Sequence, residues 1–158
     1  MMKSWISILL LTLCSFSSVQ ASELNLVSNT GTNIAAVTLE QLSQLPQQKF
    51  TIELPWVKGQ HKFIGVKLTD LLSSLNIKNV HAVRLTALND YTSEISIEDI
   101  TQYQPIITYK MDGGMMTVRK KGPFWMLYDL SKYPDLTSLK YQSHMVWQLK
   151  SIQINPND

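Results

Sequence analysis

The sequence predicts one α+β domain, mostly strand, and three observations predict it. Short runs alternate apolar with polar residues and end at Gly, Pro, Asn or Asp, as in Lys49–Leu54 (KFTIEL) and Met145–Ile154 (MVWQLKSIQI). Only two stretches space leucines as a helix does, one around Leu42 and one around Leu71. The whole chain, at 158 residues, has the length of a single domain. Two small helices set apart from a majority of strands read as α+β with a mixed or barrel-like sheet.

The first 21 residues stand apart. Lys3 gives a short positive start, Trp5–Leu13 is an apolar run too short to span a bilayer, and Val19 and Ala21 place small residues at the −3 and −1 positions. The expectation is a secretory signal peptide cleaved after Ala21, leaving residues 22–158 as one domain in an extracytoplasmic space. Leu13 is too large for the lipoprotein pattern that Cys14 suggests. Cys14 is the sole cysteine, so residues 22–158 offer no disulfide and no thiolate. Fourteen Lys+Arg against 12 Asp+Glu give a net charge of +2, which is no nucleic-acid-binding profile.

The elements follow in order. Thr38-Leu39-Glu40-Gln41 has the form of a capping box, Leu42 and Leu45 continue the helical spacing, and Pro46 stops it. Lys49–Leu54 is a strand, and Pro55–Lys62 reads as a loop broken at Gly59. A second helix is expected from an N-cap at Thr69 to about Asn76. Val80–Leu88 and Glu94–Ile97 are strands about an Asn89-Asp90 turn, and Glu98–Tyr103 makes one helical turn. Pro105–Met111 and Met115–Arg119 pair across Asp112-Gly113-Gly114, where glycine accepts positive φ. Phe124–Tyr128 is a short strand, Asp129–Ser143 a polar loop, and Met145–Ile154 the closing strand.

Residue types narrow the chemistry without fixing it. His61, His81 and His144 are the only imidazoles and have no metal-ligand spacing; no nucleophile elbow or phosphate-binding glycine loop is present. Binding is therefore favoured over catalysis. Asp90 and Asp112 suit turns, yet the carboxylate of Asp90, at a strand end, can also accept two parallel N–H bonds from a guanidine-like edge. Trp125 and Trp147 suit a core, yet an indole also stacks on a planar heterocycle. Lys120 and Lys121 suit a solvated strand edge as well as an anion site.

Taken together, five segments resemble the sulfite-oxidase-type molybdopterin-binding domain. They are Phe63–Leu72 (FIGVKLTDLL), Ala87–Tyr91 (ALNDY), Met111–Gly114 (MDGG), Gly122–Trp125 (GPFW) and Val146–Ile152 (VWQLKSI). The resemblance covers about residues 35–155 and implies that fold. Metal-bearing members hold molybdenum through a cysteine about a dozen residues before the glycine of the first segment. Here that stretch is Thr51-Ile52-Glu53-Leu54-Pro55-Trp56, and Trp125 stands where those members commonly carry an arginine. Neither Thr nor Glu replaces the soft thiolate.

The small, secreted, cysteine-less members look like periplasmic pterin-binding proteins that report to a membrane-bound cyclic-di-GMP enzyme. The resemblance thus implies a pterin as ligand, no molybdenum, no catalysis, and the periplasmic domain of a diguanylate cyclase or phosphodiesterase as partner. It implies Asp90 for the N–H/NH2 fork, Trp125 or Tyr91 for stacking, and Lys121, Arg84 or Arg119 for the oxygens, with His144 at the border. The alternatives are a molybdopterin-dependent oxidoreductase and a ligand-free interaction module on the same scaffold.

Overall fold

In the computed structural model, which describes residues 22–156, ten strands and four short α-helices divide between two sheets. The signal peptide expected at residues 1–21 lies outside the described residues. The first sheet takes β1 (Glu23–Val27), β2 (Asn33–Thr38), β5 (Ala82–Ala87), β6 (Thr92–Ser96) and β10 (Leu149–Ile154) in the order β2-β1-β10-β5-β6. β1 runs parallel to β10 and every other pair is antiparallel, so this sheet is mixed. The second sheet is antiparallel and orders β3 (Gln47–Leu54), β4 (Val57–Lys67), β7 (Ile106–Met111) and β8 (Gly114–Met115), with β9 (Trp125–Leu127) on β7. Neither sheet closes into a barrel. Among the described residues no helix is long and apolar enough to cross a membrane.

Local chemistry explains the elements. Thr38 caps α1 (Leu39–Ser43): its hydroxyl accepts the Gln41 N–H, and the Gln41 side chain accepts the Thr38 N–H. β3 buries Phe50, Ile52 and Leu54 on one face, as its alternation predicts. In β4, Gly65 sits where a Cβ would come within 2.7 Å of the Thr108 Cα, so β4 and β7 approach only because that side chain is missing. The β7–β8 turn falls at Asp112 and Gly113, both at positive φ.

Several boundaries differ from the sequence reading. Pro55–Lys62 is no loop: only Pro55 and Trp56 turn, and β4 continues through Gly59 to Lys67. α2 (Leu68–Ser74) has Lys67, not Thr69, at its N-cap, and no side chain caps it. α3 (Ile97–Tyr103) is a full short helix capped by Ser96. After two residues of β8 the expected strand over 115–119 becomes a 3-10 turn, Val118–Lys120. The expected loop over 129–143 contains α4 (Leu139–His144) in its last part. There the Lys140 Nζ lies 2.7 Å from the carboxylate of Asp99, a buried residue of α3, which ties α4 to the domain. The closing strand starts only at Leu149, because Gln148 adopts φ 51° and interrupts the extended chain.

Two cores result. One is aliphatic and packs Leu24, Leu26, Leu71, Leu85, Ile95 and Ile152 among others under the first sheet. The other is aromatic and gathers Phe50, Phe63, Trp125 and Tyr128 with Met116 and Met145. Clefts open beside the aromatic one.

Candidate functional site

The β5–β6 turn and the chain leaving α4 form the two walls of a cleft of about 120 Å³. Asn89 and Tyr91 come from the turn, Gln142 and Ser143 from α4, and Met145, Val146 and Trp147 from the segment that follows. The walls are locked together, since the Tyr91 hydroxyl donates to the Ser143 carbonyl at 3.2 Å. Asn89 Oδ1 accepts the Tyr91 N–H, which leaves its NH2 group without a partner among the described residues. Gln142 does the reverse: its NH2 donates to the Thr137 carbonyl at 2.8 Å and its Oε1 is left over. One spare amide donor and one spare amide acceptor thus border the same small cleft.

Behind the cleft stand three indoles. Trp56, from the β3–β4 turn, packs its ring 6.2 Å from Trp125 and 5.5 Å from Trp147; Trp125 and Trp147 lie 6.3 Å apart, edge to face. Trp125 is fully buried and donates its indole N–H to the Met145 carbonyl at 3.0 Å. Trp147 is half-buried and lines the cleft. The Lys121 ammonium sits 3.9 Å from the centroid of the Trp147 ring, a cation–π contact, and burial pushes its pKa down. Gly122-Pro123, a cis peptide, follows Lys121, and the Lys121 carbonyl accepts the Gln148 N–H at 2.9 Å.

The expected site residues therefore separate. Tyr91 lines the cleft and Lys121 borders it through Trp147. Trp125 is placed behind Trp147, so the ring offered to a ligand is a different indole from the one expected to stack. Asp90 occupies the turn at φ 62° with its carboxylate exposed and 3.8 Å from the Lys150 Nζ; it is not part of the lining. Arg84 alternates with inward-facing Val83 and Leu85 on β5, on the face opposite Ala87, and pairs with Glu94 at 3.2 Å. Arg119 is exposed in the 3-10 turn.

His144 follows Ser143 but points the other way. It is buried, its Nδ1 lies 2.9 Å from the Tyr128 hydroxyl, and burial pushes its pKa down. Tyr103 and Tyr141 meet that pair edge to face, and Tyr133 packs in turn on Tyr103. His61 is far from this group: its two ring nitrogens face the Asp112 carboxylate at 2.6 Å and the Lys58 carbonyl at 3.0 Å. Both neighbours are acceptors, and the bond to Asp112 raises the His61 pKa while lowering that of Asp112.

The fold and the cleft define a two-sheet α+β domain with a small aromatic-walled site at one end. The family comparison agrees: residues 19–128 match the oxidoreductase molybdopterin binding domain, and the chain belongs to that family. No curated protein matches the chain.

Membership makes the donor set a direct question. The 51–56 stretch ends in Trp56, and Trp56 packs on Trp125. Ile52 and Leu54 of that stretch are buried in the aromatic core. Among the described residues there is no cysteine, and no group of three or more His, Cys, Asp or Glu side chains could hold a metal ion. These residues do not fit a thiolate-held molybdenum.

Proposed function

We propose that this protein binds a pterin and performs no chemistry on it, a periplasmic receptor that passes its ligand state to a membrane-bound cyclic-di-GMP enzyme. The observation that carries the binding reading is the cleft at Trp147. An indole wall stands beside a spare amide donor on Asn89 and a spare amide acceptor on Gln142. A pterin is flat and alternates donors and acceptors along its edges, so it needs a ring to stack on and neutral amides to meet its edge. The fork first assigned to Asp90 passes in this reading to the amides, because Asp90 stands outside the lining.

Family membership supports the ligand class, and the absence of a cysteine over residues 51–56 together with Trp125 supports recognition over oxygen-atom transfer. The periplasmic setting and the signalling partner are supported by the resemblance to small secreted cysteine-less members and by the leader-like residues 1–21.

Calorimetric titration with oxidised, dihydro and tetrahydro pterins tests the core of this reading. Saturable binding is expected, with dissociation constants on the order of micromolar. Trp147→Ala should weaken it about ten-fold or more, the loss of one stacking contact worth ~1.4 kcal/mol. Asp90→Ala should leave it unchanged. A folded protein that binds no member of the series ends the proposal. Stoichiometric molybdenum in protein from a molybdenum-competent host would restore the oxidoreductase reading.

A further inference from the structure

The outer face of the second sheet gathers positive charge that has no carboxylate to pair with. Lys49, Ile64, Lys110 and Met115 stand opposite one another in one row across β3, β4, β7 and β8. They point away from the aromatic core, since Phe50 and Phe63, the residues alternating with Lys49 and Ile64, are buried in it. Lys62 lies two residues from Ile64 on the same face, opposite Thr51. Lys120 lies in the 3-10 turn after β8, near enough for its charge to act on the Asp112 carboxylate. None of these four lysines makes an ion pair among the described residues. Two carboxylates adjoin them: Glu53 at the far end of β3, opposite Gln60, and Asp112, which His61 and the Lys62 N–H already engage. Fourteen cations and 12 carboxylates nearly balance over the chain, so this face is a local excess.

We propose that this face adsorbs to an anionic bilayer, its lysines among the lipid phosphates, so that the domain works at a membrane surface without entering it. Charge complementarity carries the proposal, and geometry chooses the occupant. Lys49 and Lys110 rise from strands two apart, a separation of ~10 Å, so they reach different headgroups rather than converge on one anion. The side chains stand out from a sheet instead of lining a recess, which suits a diffuse field of charge. All four are lysines, point charges on flexible stems; the carboxylates of an acidic protein surface are better met by the planar fork of arginine. Met115, 53% exposed at the end of the row, is an apolar side chain that can dip below the headgroups. The inference does not rest on the pterin reading, because the cleft at Trp147 shares no residue with this face.

Cosedimentation tests it with two kinds of vesicle, pure phosphatidylcholine and phosphatidylcholine mixed in equal parts with phosphatidylglycerol. The protein should pellet with the mixed vesicles at low ionic strength, stay free of the neutral ones, and be released as salt is added. Lys49→Gln and Lys62→Gln should each lower the partition coefficient roughly five-fold, and the double variant by the product of the two. Lys78→Gln, in the loop before β5, removes the same charge from outside the face and should change it far less; all three lysines are exposed, so no variant disturbs a core. Equal binding to both kinds of vesicle, no binding to either at low salt, or equal losses in Lys49→Gln and Lys78→Gln overturns the proposal. Retention on immobilised polyaspartate without binding to vesicles overturns it too, and assigns the face to an acidic protein surface. No pterin is present in the assay, so each of these outcomes leaves the reading of the cleft untouched.

Discussion

The core beneath β1, β5 and β10 is mostly Leu, Ile and Val, joined by Tyr109, Phe124 and Met126, whereas the core beside β3, β4 and β9 is built around Phe, Trp, Tyr and Met. The difference is one of polar obligations. Aliphatic side chains ask only to be packed, but a buried indole or phenol must also place its N–H or O–H. Trp125 does so on the Met145 carbonyl and Tyr128 on His144, so the aromatic core is stitched to the segment that carries the cleft. Stability of that half and shape of the site are thereby coupled, while the aliphatic half reaches the cleft only through Ala87 and Val146.

The largest effect that tests this contrast is Trp125→Ala. It removes a fully buried ring and strands the Met145 carbonyl, and should cost about 3–5 kcal/mol in chemical denaturation. A cost below about 1 kcal/mol would show the indole cluster to be loosely held. Next comes Leu85→Ala in the aliphatic half, expected to cost about 2–5 kcal/mol yet to leave ligand titration unchanged wherever the variant is folded. A shifted affinity in that variant would break the claim that the two halves are separable.

Two smaller effects have opposite signs with pH. Burial lowers the His144 pKa, so the unfolded chain takes up that proton first. Stability is then complete above the ordinary histidine pKa of about 6.5 and falls as pH drops below it. Thermal unfolding from pH 7 toward 5 should show the fall, and His144→Asn should flatten it even though it also loosens Tyr128. His61 is the reverse case. Its pKa is raised by Asp112, so its contribution is complete below about 6.5 and is lost as pH rises through the folded-state value. Asp112 is exposed and His61 only half-buried, so His61→Gln should produce the faintest change of the four, visible as a flatter alkaline limb.

What could be read from the sequence follows from how local each signal is. The capping box at Thr38 and the alternation of Lys49–Leu54 are complete within a few residues, and both appear as read. α4 was invisible because LKYQSH carries no apolar stripe; its hold on the domain is an ion pair with Asp99 and a hydrogen bond to Tyr128, both distant in sequence. The pattern around Trp147 continued as a strand, and nothing local announced that Gln148 would take positive φ and leave Trp147 at a cleft. The parallel pairing of β1 with β10 joins the two ends of the described chain and had no local sign either.

The site residues divide along the same line. Tyr91 follows from its turn. Choosing between Trp125 and Trp147 required knowing which ring the sheet covers.

The chain has four tryptophans, and apart from Trp5 all of them belong to the one cluster behind the cleft. Their ultraviolet emission thus comes from a single place. Rings this close exchange excitation, and a cation on Trp147 perturbs the one nearest the opening. The protein carries its own optical probe: tryptophan emission from the described residues reports the state of this cluster.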